Sequence, residues 1–174
     1  MVAFANAMPG VDGARAIFTT AGSAEKCAAC ERLGATRAIN YRSEDFVARV
    51  KEITGGAGVK VVYDSIGNDT FERSLDCLRP FGLMVSYGNA SGPVAPFSIG
   101  LLAAKGSLYL TRPTLFSHLA TRENTQAMAD DLFAVVTSGQ VKIRVDQRYR
   151  LADAAQAHRD LESRATTGSS VLLP

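Results

Sequence analysis

Residues 59–92 read VKVVYDSIGNDTFERSLDCLRPFGLMVSYGNASG, and their order decides the fold. An apolar run ends at Asp64-Ser65-Ile66-Gly67. A helical pattern follows from about Thr70 to Leu78, and a second apolar run ends at Tyr87-Gly88-Asn89-Ala90-Ser91-Gly92. Strand, turn, helix, strand and glycine-rich loop form the late part of a doubly wound nucleotide-binding sheet. In such sheets ligands bind outside the carboxyl ends of the strands, which is where both loops fall.

Working outward, Ala14 to Thr20 reads as a strand. Ala21-Gly22-Ser23 turns the chain into a helix from Ala24 to Leu33, with Gly34 at the C-terminal cap position. Arg37 to Tyr41 is a second strand. Ser43-Glu44-Asp45 opens a helix that runs to about Thr54, with a hydroxyl cap and early carboxylates. Downstream, Phe97 to Ala104 reads as helix, Ser107 to Thr111 as strand, and Glu123 to Thr137 as a long helix. Val141 to Tyr149 is extended, Ala152 to Glu162 helical, and Ser170 to Leu173 a last short strand. This alternation predicts an α/β chain with a doubly wound parallel, Rossmann-type sheet in three αβα layers.

Such a sheet should open with a strand, a G-x-G-x-x-G turn and a helix. The chain opens MVAFANAMPGVDG, whose glycines, Gly10 and Gly13, do not make that fingerprint. Val2 to Ala7 could be a strand, but Pro9 and Gly10 follow too soon for a crossover helix. The expectation is an incomplete sheet lacking its first βα unit. Two rearrangements then compete: the flanking strands close up, or Val2 to Ala7 fills the gap in another direction.

Composition narrows the function classes. The 174 residues suffice for a domain with a core, and 47% hydrophobic with 21% charged content is ordinary for a globular chain. A net charge of +2 with scattered basic residues gives no case for nucleic acid. No run approaches the length of a membrane span. Three cysteines do not suggest a disulfide framework, and they fit a reducing, cytoplasmic setting.

Five stretches carry a family likeness: TAGSAEK (20–26), GATRAINYRSEDF (34–46), VVYDSIGNDTFERSLDCLRPFGLMVSYGNASG (61–92), KGSLYLTRPTL (105–115) and LESRATTGSSVLLP (161–174). In these, and in their order, the chain resembles the carboxyl-terminal half of the zeta-crystallin-like, zinc-independent quinone oxidoreductases of the medium-chain dehydrogenase/reductase superfamily. The resemblance implies a two-domain enzyme that reduces quinones or related enones with NADPH. It implies a cofactor domain over 1–140 and a tail over 141–174 that returns to a GroES-like catalytic domain preceding this chain. It also implies a homodimer built through the edge strand near Ser107–Thr111, where pairing would cover an exposed apolar edge.

The resemblance places NADPH contacts at Ser23, Lys26 and Tyr41. The residues agree in kind: the strand end Thr19-Thr20-Ala21-Gly22-Ser23 has no carboxylate before Glu25. A 2′-phosphate favours hydroxyl and ammonium donors. On the residues alone, Ser23 is an ordinary helix cap and Lys26 a surface cation. Arg164 matches a family arginine that reaches the same phosphate; alone it is a helix-end cation. Gly67 and the loop Tyr87, Gly88, Asn89, Ala90 are assigned to cofactor contact against a plain turn-forming role. Pro113 and Thr114, after the edge strand, approach the nicotinamide in the family.

Other chemistry-bearing residues read as structural. Cys27 and Cys30 form C-A-A-C in a helix, which packing explains without redox chemistry, and Cys77 is assigned to the core. His118 and His158 have no metal-ligand spacing around them. Asp64 is expected to be a turn or cap residue. Besides the quinone reductase, two alternatives stand: a non-catalytic dimeric remnant with weak or no NADPH binding, and an enoyl or polyketide reductase relative.

Overall fold

The computed structural model describes residues 2–6, 16–163 and 165–174. They form two compact units, Met1–Thr114 and Leu115–Pro174. In the first, the elements follow as β1 (Val2–Asn6), β2 (Ala16–Ala21), α1 (Ala24–Arg32), β3 (Arg37–Asn40) and α2 (Phe46–Ile53). Then come β4 (Val59–Asp64), α3 (Phe71–Asp76), β5 (Leu78–Ser86), α4 (Gly100–Ala104) and β6 (Tyr109–Thr111).

The strands make one six-stranded sheet in the order β3-β2-β1-β4-β5-β6. β2 with β3, β4 with β5, and β5 with β6 pair in parallel. β1 runs antiparallel to both its neighbours, with Phe4 opposite Phe18 on one side and Val62 on the other. Of the two rearrangements expected from the sequence, the gap is therefore filled, and filled in reverse. The pairing satisfies backbone groups that two buried strands would otherwise leave unbonded.

α1 packs on β2 and β3, and α3 on β4 and β5. Ser23 caps α1 and accepts from the Lys26 amide at 3.3 Å; Gly34, at φ +106, follows the helix in the left-handed conformation that ends it. The cap of α2 is Asp45, not Ser43. Asp45 Oδ1 accepts from the Val47 and Ala48 amides at 2.8 and 3.0 Å. Ser43 stays in the preceding turn, where its amide and hydroxyl both donate to the Asn40 carbonyl.

Two strands differ in extent from their sequence patterns. β5 begins at Leu78, ahead of the apolar run that the sequence reads from Gly82, with Phe81 at φ +59 and its amide turned away to the Gly106 carbonyl. β6 begins at Tyr109 because Gly106 and Ser107 are left-handed and close off α4. α4 also starts late, at Gly100; Phe97 precedes it and tilts its ring against Phe71 at 5.0 Å. The core lies on the strands and their covering helices: Ile39, Val50, Val59, Val62, Leu75 and Met84 are all fully buried. Each such side chain contributes about 1.5–3 kcal/mol.

In the second unit, α5 (Leu115–His118) and α6 (Arg122–Thr137) precede β7 (Val145–Arg150), a 3-10 turn, α7 (Ala154–Glu162) and β8 (Ser169–Leu173). β7 and β8 pair in parallel as a two-stranded sheet. The Tyr149 hydroxyl donates to Asp160 at 2.8 Å, tying β7 to α7. α5 has no counterpart in the sequence reading; four residues carry too little periodicity to register.

Candidate functional site

The parallel strands end on one edge of the sheet, at Ala21, Asn40, Asp64, Ser86 and Thr111. The loops that follow carry Ser23, Tyr41, Gly67, Tyr87, Gly88, Asn89, Ala90, Pro113 and Thr114, so the fold gathers these candidates along that edge. Lys26 joins them from the first turn of α1. Arg164 lies outside the described residues.

At the β2 end, Gly22 sits under Tyr41: a Cβ on Gly22 would stand 2.7 Å from the tyrosine hydroxyl oxygen. Ser23 and Lys26 follow within one helical turn, so a hydroxyl, an ammonium and an aromatic ring share one corner. Ser23 has a second task. Its hydroxyl, with the Glu25 backbone N–H contributing most, holds the Glu25 carboxyl below the usual carboxylate range. A carboxylate thus borders this corner, one that a scan of the strand end alone underweights.

Between β4 and β5 the two loops interlock. The Ser65 carbonyl accepts from the Ala90 amide at 3.1 Å, and the Ile66 carbonyl accepts from the Ser91 amide at 2.8 Å and hydroxyl at 2.9 Å. The Asn68 amide donates back to the Gly92 carbonyl at 3.2 Å. Gly67 and Gly88 are required by this contact. A Cβ on Gly67 would lie 2.6 Å from the Gly92 carbonyl oxygen, and one on Gly88 would lie 2.5 Å from that of Ser65. The close approach these glycines permit is thus to the neighbouring loop. The outer face of the ledge is Tyr87, Asn89 and Ala90, all exposed, with Tyr87 at 48%.

Asp64, beneath the ledge, is more deeply engaged than the sequence suggests. It is a turn and cap residue, as expected, and it is also wholly buried. Oδ1 accepts from the Ile66 and Gly67 amides at 2.7 and 3.2 Å, and Oδ2 accepts from the Thr70 and Ser74 hydroxyls at 2.7 Å each. The residue types D-S-I-G-N-D-T-x-x-x-S were legible, but that both hydroxyls turn inward to one carboxylate was not.

The edge therefore offers donors for a 2′-phosphate near α1 and a backbone ledge after β4 and β5. Between them stands β1, entering at this edge with Val2 beside Asp64. A parallel strand in that place would leave the sheet here through the diphosphate-binding turn; the reversed strand does not. The donor chemistry suits the two ends of a dinucleotide, and among the described residues no glycine-rich turn stands between them.

The cysteines are free. Burial raises the thiol pKa values of Cys27 and Cys30 and pushes that of Cys77 up to about 12, the reverse of an activated thiol. Among the described residues, no group of three or more His, Cys, Asp or Glu is placed to hold a metal ion, and no helix is long and apolar enough to cross a membrane.

Comparison with known proteins identifies the family. The family described as zinc-binding dehydrogenase matches residues 33–172. The quinone oxidoreductase of Salmonella typhimurium is 55% identical over 160 residues, which cover 91% of this chain and 49% of that protein. The 2-haloacrylate reductase of a Burkholderia species is 43% identical over 91% of this chain and 48% of its own length. The crystal structure of Escherichia coli quinone oxidoreductase complexed with NADPH superposes with a TM-score of 0.85 at 53% identity, covering 90% of this chain and 49% of that one. The chain spans about half the length of the relatives it matches, and it belongs to the zinc-binding dehydrogenase family.

Proposed function

We propose that this chain is the cofactor-binding half of an NADPH-dependent quinone oxidoreductase of the zinc-independent kind. The observation that carries the reading is the corner formed by Ser23, Lys26 and Tyr41 at the carboxyl end of β2, with no carboxylate on the strand end itself. Lys26 and Ser23 would hold the 2′-phosphate, and Tyr41 would lie along the adenine. Gly67, Tyr87, Gly88, Asn89 and Ala90 would face the nicotinamide half, with Pro113 and Thr114 beyond them. The bound NADPH supplies the reducing equivalents; the chain orients it and keeps water from its reacting face.

The substrate is a quinone or a related activated alkene, as the names of the relatives suggest. Residues 1–140 serve the cofactor, and 141–174 return to a second, catalytic domain. Two copies pair through β6, the terminal strand of the sheet, where Tyr109 is 61% exposed. The setting is the cytoplasm. Titration with NADPH and NADH, followed by nicotinamide fluorescence, tests the reading: saturation at lower concentration with NADPH supports it, and equal or absent binding of both refutes it.

A second reading is favoured by one observation, the reversed β1. Without a diphosphate turn between β2 and β4, the chain would be a non-catalytic dimeric remnant that binds NADPH weakly. Millimolar NADPH without saturation, on a folded protein, selects this alternative.

A further inference from the structure

We infer that Asp64 is a positioning residue for the nicotinamide half of the cofactor, an inference that rests on the NADPH-binding reading. The carboxylate has no exposed surface and forms no ion pair among the described residues. Its four hydrogen bonds all come from neutral donors. A buried carboxylate held this way is costly to place, and well-packed apolar atoms would serve stability as well. What an apolar side chain could not do is set geometry at two places at once.

Oδ1 gathers two successive amides and so fixes the turn at Ile66 and Gly67. Oδ2 gathers two hydroxyls one helical turn apart and so fixes where α3 starts. The turn then presents the Ser65 and Ile66 carbonyls to the Ala90 and Ser91 amides. The Asp64 carbonyl itself accepts from the Tyr87 amide at 2.9 Å. One side chain and its backbone thus locate both halves of the ledge that carries Tyr87, Asn89 and Ala90. The adenine corner, with Ser23, Lys26 and Tyr41, shares none of these bonds.

That separation supplies the test. Adenosine 2′,5′-bisphosphate reaches only the adenine corner, whereas NADPH spans both. The variants are Ser74→Ala, Thr70→Val with Ser74→Ala, and Asp64→Asn, each measured for both ligands by calorimetry. The amide of Asp64→Asn keeps an oxygen for the two backbone amides and donates to hydroxyls rotated to accept, so it is the conservative replacement. The double variant is expected to weaken NADPH about tenfold while the bisphosphate constant stays within about twofold, and Asp64→Asn to stay near the parent. If the double variant does not fold, Ser74→Ala alone is read, with a smaller loss on NADPH only. Equal weakening of both ligands, no weakening of either, or a parent that binds NADPH no more tightly than the bisphosphate overturns the inference. A parent that binds neither ligand refutes the functional reading itself, and the inference with it.

Discussion

Ser74 Oγ donates to Asp64 Oδ2 at 2.7 Å, joining the end of β4 to the body of α3, and neither residue has any exposed surface. Hydrogen bonds to a buried charge are worth about 1.5–3 kcal/mol, and a missing one leaves the acceptor undersatisfied. Ser74→Ala is expected to lower unfolding stability by about that amount, read as a reduced urea midpoint with an unchanged slope. A shift in the slope would mean that the variant has loosened the native state instead.

The glycines of the ledge should rank by what a methyl would meet. Gly67→Ala and Gly88→Ala drive a Cβ onto a carbonyl oxygen of the facing loop, at 2.6 and 2.5 Å. Gly92→Ala meets nothing within 4 Å and suffers only from its φ of +111. The expected losses are about 2 kcal/mol or more for the first two and about 1–2 kcal/mol for Gly92. Similar midpoints for all three in urea would show that the loops separate easily.

Asp45 gives a pH-dependent signature. The Ala48 amide chiefly, with the Arg73 guanidinium and the Val47 amide, holds its carboxyl below the usual range. Its native pKa is depressed, so the stabilisation is present above the unfolded value of about 4 and is lost as pH falls through the native value. Asp45→Ala is therefore expected to cost about 1 kcal/mol at pH 7 and progressively less in acid below about pH 4. Parallel melting curves at pH 7 and pH 3 check this; a cost that does not shrink with acid contradicts the assignment.

The reversed central strand is open to a backbone test. Phe4 pairs on both sides, with Phe18 and Val62. Proline there removes a ladder donor from the middle of a sheet, at about 3 kcal/mol or more. Phe4→Pro should lose the cooperative transition seen by circular dichroism. A variant with the parent's melting temperature would show that Val2–Asn6 does not occupy the slot.

What the sequence disclosed and withheld has physical reasons. The parallel strands announce themselves because Val59, Val62 and Met84 are buried and Val61, Tyr63, Leu83 and Val85 half-buried, so the stretches ending at Asp64 and Tyr87 read as apolar runs. Strand direction leaves no trace in composition, and Val2–Asn6 could be recognised as a strand without its orientation. At α2, two capping types stand two residues apart, Ser43 and Asp45, and residue type alone leaves the start ambiguous; Asp45 has the extended backbone and the two amide bonds of the cap. At the site, residue types suggested donors at Ser23 and Lys26. The proximity of Glu25 to the Ser23 hydroxyl appears only when α1 is wound.

Glu25 accordingly carries a prediction of its own. Its side chain is exposed, and its carboxyl, held below the usual range chiefly by its own backbone N–H and then by the Ser23 hydroxyl, places a negative charge beside a hydroxyl that the 2′-phosphate would use. Glu25→Gln removes a like charge and frees that hydroxyl. NADPH affinity is expected to rise about two- to fivefold at low salt, and the gain should shrink as salt rises. An unchanged NADPH constant would place the phosphate away from this corner.

The most direct measurement is the ratio of NADPH to NADH dissociation constants for the parent chain and for Lys26→Ala. The parent is expected to prefer NADPH, and Lys26→Ala to lose most of this preference by weakening NADPH alone. A parent without preference, or a Lys26→Ala chain that keeps it, would contradict the assignment of the β2 corner to the 2′-phosphate.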